Sequence, residues 1–261
     1  MTATLPVFVV AGIGNGTGTG GAAARLFARS GYRVALIARN GEHAKRLAEE
    51  INNAGGEAAG FGSGNYSYKS ISATWDEVKT FKWPSTQQPA PIRVALWNAA
   101  SGVFKPFLDQ TEEDLEMSLE ANVRGAFAFS KQAISTFKEN ELDEHGARGT
   151  LLFTGGIASV KADPYGSSIS AGKSGLRSLA QSLAKEFGRE NIHVAHAIIA
   201  GWILSDLSIA SQKILDKNEF IENQNIRLDP ENIAASYLYL VNQGRSAWTW
   251  ELDLRPAHQE W

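Results

Sequence analysis

Residues 7–21, VFVVAGIGNGTGTGG, decide the fold. Val7–Val10 is an apolar run, read as a buried strand, and the glycines of GIGNGTGTGG end it at once. Ala24, Leu26, Phe27 and Ala28 then follow a helical pattern up to the stop at Ser30-Gly31. Glycines between a first strand and a first helix let the chain turn tightly. Without Cβ atoms, backbone N–H groups can approach a phosphate, and the helix N-terminus adds a dipole worth roughly 0.3–1 kcal/mol. Glycine-rich turns also occur as plain flexible loops; the position after the first strand favours the phosphate site. Two registers fit a G-x-x-x-G-x-G spacing: Gly12, Gly16 and Gly18, or Gly14, Gly18 and Gly20. The second leaves a shorter, more usual helix before Gly31 and is preferred.

The same alternation runs outward to the end of the chain. Tyr32–Ala38, Ile92–Leu96, Leu151–Thr154, Ile192–Ile199 and Trp248–Leu254 read as strands. Glu42–Asn53 reads as a helix ended by Gly55-Gly56, while Gly60–Ser67 is glycine-rich and poorly patterned, with a strand only loosely indicated. Thr111 can cap a helix in which Leu115, Leu119, Val123 and Phe127 recur every four positions. Leu176, Leu179, Leu183 and Phe187 mark one face of another helix, stopped at Gly188. Strands alternating with helices need crossover connections, which give a mainly parallel sheet covered on both faces. The expectation is an α/β chain forming one domain from residue 1 to 261, with a doubly wound parallel sheet.

Composition narrows the function. The chain has 261 residues, 43% hydrophobic and 20% charged, with a net charge of −3. It carries no basic stripe to suggest nucleic acid and no charge run to suggest a disordered tail. It has no Cys, so thiol catalysis, disulfides and zinc thiolates are excluded. The five His show no ligand spacing, and no metal site is expected. MTATLPVFVVAG reads as a strand rather than a signal peptide, and no apolar stretch is long enough to span a bilayer. A soluble cytoplasmic protein without membrane or nucleic-acid partners is expected. The seven Trp are mostly core or interface candidates, but some could line a pocket for a flat apolar ligand.

The end of the second strand selects the nucleotide. An acid there holds the ribose 2′-hydroxyl of NAD; a cation suits the 2′-phosphate of NADP. The chain reads Ala38-Arg39-Asn40, without an acid. Arg39 is therefore the candidate 2′-phosphate clamp and NADP(H) the expected cofactor.

With these features the chain resembles the short-chain dehydrogenase/reductases along nearly its whole length. The match includes the glycine loop, Asn98-Ala99-Ala100, Asn122, Lys173, Ala200-Gly201 and the tail WELDLRP, which is like that of fungal members. The resemblance implies a Rossmann fold and a homodimer or homotetramer joined through the helices carrying Asn122 and Lys173. It implies cofactor contacts from Gly14, Asn15, Gly18, Thr19, Gly20, Asn98, Lys173 and Gly201, and an adenine contact or a plain turn role for Asn65.

One part of the pattern is missing. The family's Tyr lies four residues before its Lys, and its Ser about thirteen before the Tyr. Here those positions hold Ile169 and Gly156. Lys173 keeps the ribose role, and Thr154, Ser159 and Ser167 are nearby hydroxyls that a loop shift could recruit. Hydride added to a carbonyl leaves an alkoxide, and losing a positioned acid costs on the order of 10²–10⁴-fold in rate. Hydride added to an iminium cation leaves a neutral amine and needs no proton; the useful group is then an anion that stabilises the cation. Ala162-Asp163-Pro164-Tyr165-Gly166 offers Asp163, stiffened by Pro164; the plain alternative is a turn residue before proline.

That motif, with the missing Tyr and Ser, resembles the reductase-derived Diels–Alderases of fungal prenylated indole alkaloid pathways, of the malbrancheamide and paraherquamide type. This implies reduction of a cyclic-dipeptide-derived iminium by NADPH, followed by an intramolecular [4+2] closure. Asp163 would pair with the substrate cation, Arg124 would position cofactor or substrate, and Trp97 and Trp202 would wall an indole pocket. For Arg124 the plain alternative, an exposed or dimer-facing side of the helix, is the favoured one, and the plain alternative for Trp202 is a cover over the core. Two other readings stand beside this one: a carbonyl or enone reductase using Tyr165 or water as donor, and a non-catalytic dinucleotide-binding sensor or scaffold.

Overall fold

In the computed structural model, which describes residues 5–211 and 213–259, each strand is followed by a crossover that returns it to the same sheet in parallel. The strands are β1 (Val7–Ala11), β2 (Arg33–Ala38), β3 (Ala58–Gly62), β4 (Ile92–Trp97), β5 (Gly149–Thr154), β6 (Ile192–Ile199) and β7 (Glu251–Leu254). Their order is β3-β2-β1-β4-β5-β6-β7, with every pair parallel. β1, β2, β5 and β6 are buried along their full length, as both-face coverage demands. One core cluster centres on Trp75, Trp97 and Phe129, the other on Phe8, Phe27 and Tyr237. The order reverses between β1 and β4, whose ends Ala11 and Trp97 are paired. A crevice at such a switch point is where this fold binds ligands.

The helices in chain order are α1 (Thr19–Arg29), α2 (Gly41–Asn53), α3 (Tyr68–Thr80), α4 (Glu112–Leu119), α5 (Gly125–Lys138), α6 (Ser167–Phe187), α7 (Asp206–Ala210), α8 (Lys217–Glu222) and α9 (Pro230–Val241). Among the described residues no helix is long and apolar enough to cross a membrane.

Three elements differ from the sequence reading. The strand in the glycine-rich segment is Ala58–Gly62, and α3 follows it, capped by the Ser67 hydroxyl. Ser, Thr and Tyr dilute the pattern of α3, but Ile71, Trp75 and Val78 bury one face. The last strand starts at Glu251 rather than Trp248, whose ring stacks on His193 at 4.9 Å. The helix capped by Thr111 forms the expected cap, a reciprocal box with Asp114, but is interrupted by a π-turn at Glu120–Arg124. Of its repeating apolar residues, Leu115 (42% exposed) and Phe127 (52%) point outward, while Leu119 and Val123 are half-buried.

Candidate active site

Gly14, Asn15, Gly18, Thr19, Gly20, Arg39 and Asn98 line one cavity of about 250 Å³ at the switch point. The glycines divide the work. Gly14 turns the chain at φ 60° with open space where a Cβ would be. Gly18 is the N-cap of α1, and a Cβ there would meet only Ser205 at 3.8 Å. A Cβ on Gly20 would stand 2.6 Å from the Gly12 carbonyl oxygen, so this glycine lets α1 lie against the end of β1. Turn, open N-cap and helix–strand contact are uses such glycines serve, and members of both registers carry them: Gly12 and Gly16 also turn the chain, at φ 95° and 96°. Gly12 lines the same cavity, and its missing Cβ makes room for the Ala99 backbone nitrogen at 2.3 Å.

The cradle has the chemistry of a dinucleotide site. Among the described residues, Thr19 Oγ1 is buried without a hydrogen-bond partner, in the first turn of a helix that carries no acidic residue there. Arg39 is exposed at the end of β2, its guanidinium 5.3 Å from the Tyr66 ring centroid. Tyr66 lines the same cavity and is buried, which pushes its phenol above the usual range despite the nearby Arg39 charge. Sequence reasoning passed over Tyr66; its one signal was an aromatic beside Asn65. Asn65 itself makes a turn, its side-chain oxygen accepting from the Ser67 amide at 3.0 Å. Gly201 follows β6 at the same end of the sheet, but it packs against Pro256 and does not line the cavity.

Lys173 lies on α6, 6% exposed, and its ammonium donates to the Thr154 carbonyl at 2.9 Å. Burial pulls its pKa down to about 8. One turn earlier, Ile169 sits directly on the backbone of Gly102: a Cβ on that glycine would be 2.6 Å from Ile169 Cβ. Two of the neighbouring hydroxyls are committed, whereas those of Ser168 and Ser170, flanking Ile169, are buried without a partner among the described residues. The Thr154 hydroxyl donates to Asn98 Oδ1 at 2.7 Å and lies 2.7 Å from the Tyr237 hydroxyl, while Ser159 donates to the Gly156 carbonyl at 2.7 Å. Ser167 is exposed at the start of α6. Asn122, drawn inward by the π-turn, donates to the carbonyls of Ser101 at 2.7 Å and Ser118 at 2.9 Å. A residue two places on is carried about half a turn round such a helix, and Arg124 is accordingly exposed, away from the face that Asn122 turns toward Gly172. The structure does not bring Arg124 to Lys173. Trp97 is also corrected: it is fully buried, its indole donating to the Ala121 carbonyl at 3.1 Å, and is core rather than pocket wall.

Asp163 is exposed on the turn before α6, and among the described residues its carboxylate has no hydrogen-bond or ion-pair partner. Tyr165 holds φ 68°, unusual for a non-glycine, and is 61% exposed, with its carbonyl accepting from the Lys105 amide at 2.9 Å. Trp202 is 46% exposed after β6. Beyond it the chain crosses to the glycine loop: Asn15 donates to the Asp206 carboxylate at 3.0 Å, and the Asp206 amide donates to the Thr17 hydroxyl at 3.1 Å. Within this crossing segment, Gln212 lies outside the described residues.

A family model for short chain dehydrogenases matches residues 7–214. A 3-oxoacyl-[acyl-carrier-protein] reductase of Mus musculus is 30% identical over 201 residues, 77% of each chain. Short-chain dehydrogenase/reductase eriH of Hericium erinaceus is 28% identical over 236 residues, 88% of each chain. Among solved structures, a short-chain dehydrogenase from Rhodopseudomonas palustris shares 26% identity, with a TM-score of 0.73 over 96% of this chain and 98% of its own. An alcohol dehydrogenase from Thermococcus sibiricus, complexed with 5-hydroxy-NADP, shares 22% identity, with a TM-score of 0.77 over 98% of each chain.

Proposed function

Because this chain belongs to the short-chain dehydrogenase family, an oxidoreductase family, we propose that it is an NADP(H)-dependent reductase of a cationic, iminium-type substrate. The observation that carries the reading is Ile169 in place of a donor one turn before Lys173, seated on Gly102, with the Thr154 and Ser159 hydroxyls both engaged elsewhere. NADPH, when bound, supplies the hydride. The residues present fit it: the Gly18 end of α1 and the orphan Thr19 hydroxyl suit the diphosphate, Arg39 over Tyr66 suits the 2′-phosphate, and Lys173 suits the nicotinamide ribose.

A substrate that enters as a cation needs no proton to leave neutral. What it needs is an anion, and Asp163 is the unpaired carboxylate on the turn leading into α6. The narrower reading extends this to an indole-bearing iminium in fungal alkaloid biosynthesis, with the product held for an intramolecular [4+2] closure. It is supported by the Ala162–Gly166 motif and by exposed Trp202. The outward apolar residues Leu115 and Phe127 support pairing of two copies through α4 and α5.

Stopped-flow mixing of the NADPH complex with a cyclic iminium, and separately with a matched ketone, tests the reading. Loss of NADPH absorbance with the iminium alone is expected, and Asp163→Asn should lower that rate at least about tenfold while NADPH binding is kept. Oxidation by the ketone at the same rate would overturn it.

A further inference from the structure

The connection between β4 and α4 carries Phe104, 49% exposed. One edge of its ring lies against the turn before α6: a Cβ on Gly166 would be 3.1 Å from Phe104 Cε1 and 3.3 Å from the Asp163 carbonyl oxygen. Backbone bonds join the two segments, because Tyr165 O accepts from the amide of Lys105, the residue after Phe104, at 2.9 Å, and the Gly166 amide donates to Asp163 O at 3.2 Å. The Phe104 ring and the turn that carries Asp163 therefore belong to one joined unit.

A cation already stands on that face. Lys213 Nζ is 4.1 Å from the Phe104 ring centroid; the other cation–ring contacts among the described residues lie between 5.3 and 5.9 Å. Lys213 makes no ion pair among the described residues, and it belongs to the segment between two short helices, α7 and α8. An aromatic quadrupole on the same joined unit as an unpaired carboxylate is the chemistry that selects organic cations.

We infer that the Phe104 face beside the Asp163–Gly166 turn is a recognition site for an organic cation, and that the Lys213 ammonium is its internal occupant, which the ligand displaces. The inference deepens the proposed function and rests on its reading of a cationic substrate. Lys213 gives the site a threshold. A delocalised or quaternary cation is weakly hydrated and exchanges readily for a strongly hydrated ammonium that returns to water. A neutral ligand of the same shape gains nothing from the ring's negative face.

The test uses the full chain saturated with NADP⁺, so that no turnover occurs, and titrates it with N,N-dimethylpyrrolidinium, a cyclic cation that cannot be reduced. The neutral isostere 2,2-dimethyltetrahydrofuran is titrated in parallel. Isothermal calorimetry is expected to show the cation binding at least about fivefold more tightly than the isostere. Lys213→Gln should tighten the cation and leave the isostere unchanged. Phe104→Leu, which keeps apolar area but removes the quadrupole, should weaken the cation about three- to fivefold. Circular dichroism confirms that both variants are folded. Equal binding of the two probes, or cation affinity indifferent to Lys213→Gln, would overturn the inference. Because no hydride moves in this titration, its outcome is separate from whether an iminium is reduced. Reduction of an iminium with no effect of either variant would leave the function standing and remove Lys213 and Phe104 from it.

Discussion

Ile169 packs so closely on Gly102 that a methyl group on the glycine would stand 2.6 Å from Ile169 Cβ. The contact fills with hydrocarbon the place one helical turn before Lys173, and Gly156 leaves a second place without a hydroxyl. Both are sterically open to reversal. Gly156 has φ −178°, an extended backbone any residue adopts, and a Cβ there would meet only Ile199 O at 3.8 Å. Ile169→Tyr keeps the same Cβ as long as Gly102 stays. The double variant Ile169→Tyr with Gly156→Ser should therefore fold and gain ketone reduction by about 10²-fold or more, the value of a positioned acid. Iminium turnover should change only a few-fold. NADPH absorbance with the two substrates measures both; a folded double variant with no gain on the ketone would show that a missing donor is not what limits this site.

The buried His196 makes the fold acid-labile. It is fully buried on β6, with Nδ1 3.2 Å from Glu251 Oε1, and Glu251 is clamped by Arg177 at 2.6 Å. Burial pulls its pKa down to about 4, with the Glu251 charge opposing and the Lys173 charge assisting. The folded state thus prefers neutral imidazole. Its contribution is complete above the ordinary value of 6.5 and is lost as pH falls through about 4, to a total of about 3 kcal/mol. Burial pushes His193 in the same direction. Denaturant melts between pH 4 and 7 should show stability falling toward acid, with a shallower slope in His196→Gln, whose amide can still donate to Glu251 but does not titrate.

What could be read ahead of the structure was local. The strand, glycine turn and helix of residues 7–31 lie within one stretch of chain, so their order alone points to the crevice, and the cradle residues from Gly14 to Gly20 meet there. The offset of Ile169 from Lys173 is likewise a property of one helix. The failures depend on packing across the sheet or on helix phase. Trp97 went to the core because a central parallel strand is covered on both faces. Arg124 is exposed, as its two-residue offset from Asn122 on a helix and the plainer reading of it both anticipated. Tyr66 under Arg39, and Lys213 over Phe104, join residues too far apart in sequence for any spacing to reveal.

Two glycines of the cradle should separate folding from binding. A Cβ on Gly20 would lie 2.6 Å from the Gly12 oxygen and 3.0 Å from Asn98 Nδ2, so α1 must shift. Gly20→Ala should cost about 1–3 kcal/mol of stability, seen as a lower urea midpoint. Gly18, at φ −97°, meets nothing closer than 3.8 Å, so Gly18→Ala should fold with stability changed by less than about 1 kcal/mol. Its methyl would stand where the diphosphate must approach the helix, and NADPH affinity by fluorescence titration should fall about tenfold or more. Undiminished binding in a folded Gly18→Ala would move the diphosphate off this helix end.

Arg39 offers the sharpest test of the nucleotide. Its guanidinium lies over Tyr66, 5.3 Å from the ring centroid, in the same cavity as the glycines. Contact with the Tyr66 ring restrains the guanidinium, so part of the ordering cost of binding a 2′-phosphate is met in advance. A charge-assisted hydrogen bond to phosphate contributes about 1.5–3 kcal/mol, so Arg39→Ala should weaken NADPH about 10- to 100-fold. NADH has no 2′-phosphate and should lose little. Tyr66→Leu removes the aromatic contact but keeps the cation and an apolar floor, so it should weaken NADPH by a smaller factor, about two- to fivefold. Parallel titrations of both nucleotides measure the ratio. Equal losses for NADPH and NADH in Arg39→Ala would mean that the arginine serves the shared adenosine half rather than the 2′-phosphate.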